Sequence, residues 1–302
     1  VSSHTPARRR PGLGWALVAL AVTLVANSLL GPLATSVVRY HYSTTMLNQA
    51  VGLDAVALLL AAPLALVAAS LVFRGVPAGL VLACIPASFA VYMAPQYIVG
   101  PDYLNLPGNN ERFFPLHLGM LVLGLAVLVT SWRGLDEVAL PAASARGDRV
   151  RVWVLLGTAG FIAIGRWAPA LTDAAGGHPT GPAYLDNPTA FWLIAVLDLG
   201  VIVPAAVVTA LGLRTAAHWA RKASCVVFGW MSLVPASVAA MAVAMYLRGD
   251  PQATLGNLAV MVGAALVLTP VAVALLPAPG LMLRGATGQT AYRPAERWPR
   301  GA

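Results

Sequence analysis

Three observations predict an all-α, polytopic membrane protein with eight transmembrane helices, a parallel four-plus-four internal repeat and both termini cytoplasmic. The first is a shortage of charge. Only 10% of the 302 residues are charged and 59% are hydrophobic, whereas a soluble domain carries about 25% charged residues. That excludes a soluble enzyme domain and a disordered tail protein, and two Cys are too few for a disulfide scaffold. The second is the number of long apolar runs. A helix needs about 20 mainly apolar residues to cross a roughly 30 Å hydrocarbon layer, and eight such runs stand between charges, Pro and Asn. The third is where the basic residues fall. Arg8, Arg9, Arg10, Arg74, Arg133, Arg146, Arg149, Arg151, Arg214, Arg221, Lys222, Arg284, Arg293, Arg297 and Arg300 lie on the side of the termini, against Arg39, Arg112, Arg166 and Arg248 on or near the other. Cytoplasmic loops carry the excess of Lys and Arg, so the termini are expected inside the cell. The net charge of +8 then reflects topology, and no nucleic-acid partner is expected.

The first run, Leu13 to Val38, follows Arg8 to Arg10. It is too long for the h-region of a signal peptide, roughly 7 to 15 residues, and lacks a clear cleavage site, so it reads as a retained helix with Thr23, Asn27 and a Gly31-Pro32 step that permits a kink. Met46 to Phe73 is the second run, long enough to tilt or to bend at Pro63. Val76 to Ile98 is the third, and Phe114 to Trp132 the fourth; the segment between them, GPDYLNLPGNNERFF, is rich in turn formers. Residues 136–151 form a cytoplasmic linker. Val152 to Leu171, Ala190 to Leu213, Ala223 to Leu247 and Leu255 to Leu276 complete the set, and residues 278–302 form a basic cytoplasmic tail. Trp and Tyr collect at membrane interfaces. Tyr40, Tyr42, Tyr97, Tyr103, Trp167, Tyr184, Trp192 and Tyr246 fall at the outer ends, and Trp15, Trp132, Trp153, Trp219 and Trp230 at or near the inner ones. The opening Val and the use of Arg for 18 of 19 basic residues are expected of a bacterial gene of high GC content with a GTG start.

The two halves match. Pro86, Ala87, Ser88, Tyr97 and Gly100 correspond at one offset to Pro235, Ala236, Ser237, Tyr246 and Gly249. Upstream, Leu53-Asp54 corresponds to Leu197-Asp198, each pair preceded by a Thr suited to cap its helix (Thr45, Thr189). Trp15 and Pro32 resemble Trp153 and Pro169. Units of four spans keep the same orientation, so the repeats are parallel. The domains are then 1–135, an amino-terminal arm and first repeat, and 152–277, the second, joined by the linker.

Ionisable side chains within spans cost about 2.5 to 3.5 kcal/mol at a helix centre, so they face protein or water. Asp54 and Asp198 lie at equal depth from the outer boundary. Asp54 shares a helix face with Ala57, Ala61, Ala65 and Ala69, a small-residue stripe that suits close packing. Arg166, near the outer end of the fifth run, is placed to pair with Asp198; the first repeat has no equivalent cation, and His117 is the available partner for Asp54. Without an Arg, Asp54 is the better proton carrier of the two. A polar clamp between helices is the structural alternative for both acids.

Several chemistries are absent: HExxH, CxxC, GxSxG and Walker-type loops do not occur. Cys84 and Cys225 read as small buried thiols. His41, His117, His178, Glu111, Asp173 and Asp186 share the outer side, but without ligand spacing, so no metal and no cofactor are expected. The function expected is a small-molecule or proton-coupled permease or exporter in a bacterial plasma membrane. Its substrate or proton-binding residues would be Asp54, Asp198, Arg166 and His117, and its partners the lipid bilayer and a small-molecule ligand. The alternative is a non-catalytic membrane scaffold or accessory subunit.

Overall fold

A computed structural model of the chain describes residues 9–136, 140 and 145–276. Arg8, the basic tail and residues 137–139 and 141–144 of the linker lie outside the described residues. Among the described residues there is no strand, and eight helices are long and apolar enough to cross a membrane. They are Pro11–Leu30 (span 1), Thr44–Phe73 (span 2), Ala78–Val99 (span 3), Asn110–Gly134 (span 4), Arg146–Ala175 (span 5), Pro188–Arg214 (span 6), His218–Leu247 (span 7) and Leu255–Leu275 (span 8). The chain is a multi-pass membrane protein. One end of the bundle, the termini face, is tied by Trp15 edge-on to Phe73, Lys222 Nζ at 2.5 Å from Asp136, and Arg151 Nε donating to the Leu275 carbonyl at 2.9 Å. The loop face is the opposite end.

Span 1 is shorter than its apolar run predicts. Gly31-Pro32 ends it, since Pro has no N–H to continue the ladder, and residues 31–43 return along the loop face as an irregular segment. Val38 N donates to the Leu30 carbonyl at 2.7 Å and Thr35 Oγ1 to that of Leu29 at 2.7 Å. Val38 and Tyr40 are buried all the same, so their hydropathy reflects tertiary packing of a loop. The caps also differ from expectation, each standing two residues earlier. Ser43 accepts from Met46 N at 3.1 Å, and Asn187 accepts from Ala190 N at 3.1 Å; Thr45 and Thr189 are the second residues of their spans.

Three spans contain an i→i+5 turn: Ala57–Ala61 in span 2, Phe161–Trp167 in span 5 and Asp198–Ile202 in span 6. Each ends two residues before a proline, Pro63, Pro169 or Pro204. A proline ring clashes with the carbonyl four residues earlier and offers it no donor, and widening the preceding turn moves that carbonyl aside. The bend expected at Pro63 is therefore taken up in the turn ahead of it.

Spans 1 to 4 form a closed bundle, in which span 1 packs on 2 and 4, and span 3 on 2 and 4. The stripe of Ala57, Ala61, Ala65 and Ala69 is buried within it. Span 7 packs against spans 2, 3, 6 and 8. Its crossing with span 2 is backbone to backbone: a Cβ on Gly52 would stand 2.3 Å from the Ala240 carbonyl and the Met241 nitrogen. Span 5 packs along span 6 but not along span 8, which it meets through Arg151 and Leu275 at the termini face. Above that contact the two helices diverge.

Candidate functional site

The predicted site residues separate into two clusters. Asp54 and Asp198 are each the eleventh residue of their spans, about 15 Å from the helix start at 1.5 Å per residue. Their surroundings differ. Asp54 is fully enclosed. Its Oδ1 accepts from Asn27 Nδ2 and from the Tyr97 hydroxyl, both at 3.2 Å, and Oδ2 has no partner. That oxygen rests over Gly31, where a Cβ would approach it to 2.7 Å, so glycine is required for the carboxyl to fit.

His117 is hydrogen-bonded to Asn27 rather than to Asp54. It donates from Nε2 to Asn27 Oδ1 at 3.1 Å, and the Tyr40 hydroxyl donates to the same oxygen at 2.9 Å. Asn27 therefore relays between histidine and acid, a role that its place beside the Gly31-Pro32 step did not suggest. The rings of Tyr40, Tyr97 and His117 pack together at centroid distances of 5.0 to 5.9 Å. Each of spans 1 to 4 contributes one member, and the 31–43 segment adds Tyr40. Burial, followed by the neighbouring Asp54 charge, raises the Tyr40 hydroxyl well above the usual phenol range, and burial does the same to Tyr42. Both remain donors, Tyr42 to the Gln96 carbonyl.

Asp198 is held by donors of another kind. Tyr92 donates its hydroxyl to Oδ1 at 2.6 Å, Trp167 donates Nε1 to Oδ2 at 2.8 Å, and Arg166 Nε lies 3.4 Å from Oδ2. The pairing of Arg166 with Asp198 is thus present. Two of the three widened turns place these groups, since Arg166 and Trp167 close one and Asp198 opens the other. Tyr92 and Trp167 are additions. Trp167, expected at an interface, is buried at 2% exposure. Tyr92 arrives from span 3, whereas Tyr246, which the sequence matches to Tyr97, is half exposed.

A cavity of about 600 Å³ reaches this second cluster and meets the first at Tyr97 alone, with Asp54, Asn27, Tyr40 and His117 outside its lining. Spans 2, 3, 5, 6, 7 and 8 line it, with Arg166 and Asp198 on one wall and Gln49, Gln252 and Asn257 toward the loop face. Of its lining residues, Phe161 and Arg166 of span 5 and Ala264 and Leu268 of span 8 are exposed where those spans stand apart, as are Gln252 and Asn257 toward the loop face. Tyr97 belongs to both places: it is among the residues lining the cavity, and its hydroxyl donates to Asp54.

The loop face is firmly built. Arg39 N donates to Asn109 Oδ1 at 2.7 Å, Asn109 N to the Arg39 carbonyl at 2.8 Å, and Asp102 N to the His41 carbonyl at 2.8 Å. The Gly-Asn-Asn of the 100–113 segment thus zips it to residues 37–41 as a cover over the first bundle. Asp250 is buried and accepts from Asn48 Nδ2 at 2.8 Å and Thr45 Oγ1 at 3.3 Å, latching the turn between spans 7 and 8 to span 2. The outer histidines stand apart. His41 Nε2 meets Glu111 at 2.9 Å, His117 is in the Asn27 cluster, and the His178 ring faces the Pro179 carbonyl. Cys84 and Cys225 are free, buried thiols. No family model matches the chain, and neither does any curated protein or solved structure.

Proposed function

We propose that the chain is a small-molecule permease or exporter, with the cavity as its substrate chamber and the Arg166–Asp198 pair as its charged contact. The observation that carries this is the chamber itself: a space of about 600 Å³ lies among six spans and ends on an ion pair between a buried Asp198 and a half-exposed Arg166. That volume falls within the roughly 300–1,000 Å³ of small-molecule sites, and ionisable groups inside membrane spans mark substrate or ion pathways.

The finer reading is proton coupling. Asp54 is walled off from the chamber, and Tyr97 is the connection, with its hydroxyl on Oδ1 of the acid. The unpartnered Oδ2 is the place for the coupling proton, and His117 acts on it through Asn27. The remaining features follow the same reading: a bacterial plasma membrane, cytoplasmic termini and two parallel four-span units. A scaffold role is the second reading, favoured by the sealing of Asp54 among side chains of four spans and the 31–43 segment.

The test is a thermal-shift screen of a compound panel on purified protein, followed by flux of each stabilising compound in proteoliposomes. Arg166→Gln and Asp198→Asn are expected to abolish the shift, and Asp54→Asn to retain it while removing the response of flux to a pH gradient. A panel that yields no stabilising compound, with flux no greater than in protein-free liposomes, would leave the scaffold reading in place.

A further inference from the structure

We infer that the chamber takes an amphipathic anion from the bilayer, with a carboxylate or phosphate head on Arg166 and an apolar body among the methionines. This rests on the chamber being the functional site. Arg166 and Asp198 are the two charged side chains that line it. Asp198 has little left to offer a ligand, because Tyr92 occupies one of its oxygens and Trp167 and Arg166 the other. Arg166 is the reverse case. It spends Nε on Asp198, its side chain is 50% exposed, and its terminal amino groups have no acceptor among the described residues. A guanidinium held by one edge presents the other as a pair of parallel donors, which matches a carboxylate or a phosphate.

The rest of the lining fits an apolar body. Met46, Met93, Met231, Met241, Met245 and Met261 line the chamber, six of the eight methionines in the chain. Unbranched thioethers repack around ligands of different shape, so this wall suits a flexible chain better than a rigid polar solute. The way in agrees with that. The exposed lining residues of spans 5 and 8, Phe161, Arg166, Ala264 and Leu268, give a way in at a level where a bilayer would present acyl chains. Arg166 precedes the end of span 5 at Ala175 by nine residues, about 13 Å along the helix, so the head sits below the loop face with its body directed along the span 8 wall.

The experiment uses the full chain in lipid nanodiscs and a long-chain carboxylic acid bearing a diazirine, with labelled peptides mapped by mass spectrometry. Labelling is expected on the peptides holding Phe161, Met241 and Met261. The unlabelled acid or an alkyl monophosphate should compete at concentrations about tenfold below the acid's methyl ester or an alkyl trimethylammonium, as one charge-assisted contact implies. The better competitor of the first two identifies the head group. Arg166→Gln should erase the tenfold preference and Arg166→Lys retain most of it. Ala264→Trp, which fills that way in and leaves the ion pair intact, should lower labelling overall. Competition by the ammonium equal to that by the acid, unchanged preference in Arg166→Gln, or no labelling in the chamber would each overturn the proposal. Arg166-dependent labelling without flux in proteoliposomes would uphold the ligand class and remove the permease reading. Flux of an uncharged solute, with labelling indifferent to Arg166, would do the opposite.

Discussion

Replacing Asp54 by alanine strips the acceptor from two buried donors, Asn27 Nδ2 and the Tyr97 hydroxyl. Hydrogen bonds between membrane helices contribute about 0.6 kcal/mol on average and at most about 1.7, while a buried donor left without a partner costs about 1–3 kcal/mol. Asn27 keeps its contacts to Tyr40 and His117 through Oδ1, so its amide stays pinned and cannot turn away to recover a bond. The expected loss for Asp54→Ala is therefore roughly 2–4 kcal/mol. Asp54→Asn retains an oxygen where Oδ1 stands and places its amide where Oδ2 already lacks a partner, so its loss should be about 1 kcal/mol. Reversible unfolding in mixed micelles of a mild detergent and dodecyl sulfate measures both, and a double-mutant cycle with Tyr97→Phe isolates the pair. Alanine and asparagine variants of equal stability, together with zero coupling to Tyr97, would refute the assignment of Asp54 as the acceptor that joins spans 1, 2 and 3.

Gly52→Ala should destabilise more than any other glycine-to-alanine change on span 2 or 7. Its Cβ would lie 2.3 Å from the Ala240 backbone, and overpacking of this kind costs about 1–3 kcal/mol or more; the same unfolding assay, with Gly229→Ala (3.3 Å to Cys84) as the milder comparison, measures it. Asn109→Ala removes the acceptor of Arg39 N and the donor to the Val37 carbonyl, and limited proteolysis should then cut residues 100–113 at least several times faster than in the parent. Asp250→Ala should cost roughly 1–3 kcal/mol through orphaned Asn48 and Thr45, and hydrogen exchange should show faster opening at the start of span 2.

Hydropathy revealed the eight spans because a membrane admits few alternatives for a long apolar run. It overran span 1, since Val38 and Tyr40 are apolar for the sake of tertiary burial in a loop. The acids at 54 and 198 were legible for the same reason: a charge inside a run is conspicuous. Asp250 was not, because the residues that bury it, Thr45 and Asn48, are distant in sequence and only the fold brings them near. The Arg166–Asp198 pair followed from adjacency along the chain, but Trp167 and Tyr92 required the register of two widened turns, which a proline two residues downstream announces only in retrospect. The chamber had a signal that went unused, the restriction of most methionines to spans 2, 3, 7 and 8. Its existence depends on spans 5 and 8 standing apart, and no local pattern records a contact that is missing.

The divergence of spans 5 and 8 also has a mechanical side. Spans 5 and 6 pack on each other, and they join the other helices through span 7, a smaller contact with span 3, Ser43 on Asp186, and Arg151 on Leu275. At mid-span the pair is fastened to span 3 by the Tyr92 hydroxyl on Asp198. Arg166 contacts the same carboxylate, so a load placed on its guanidinium bears on that fastening.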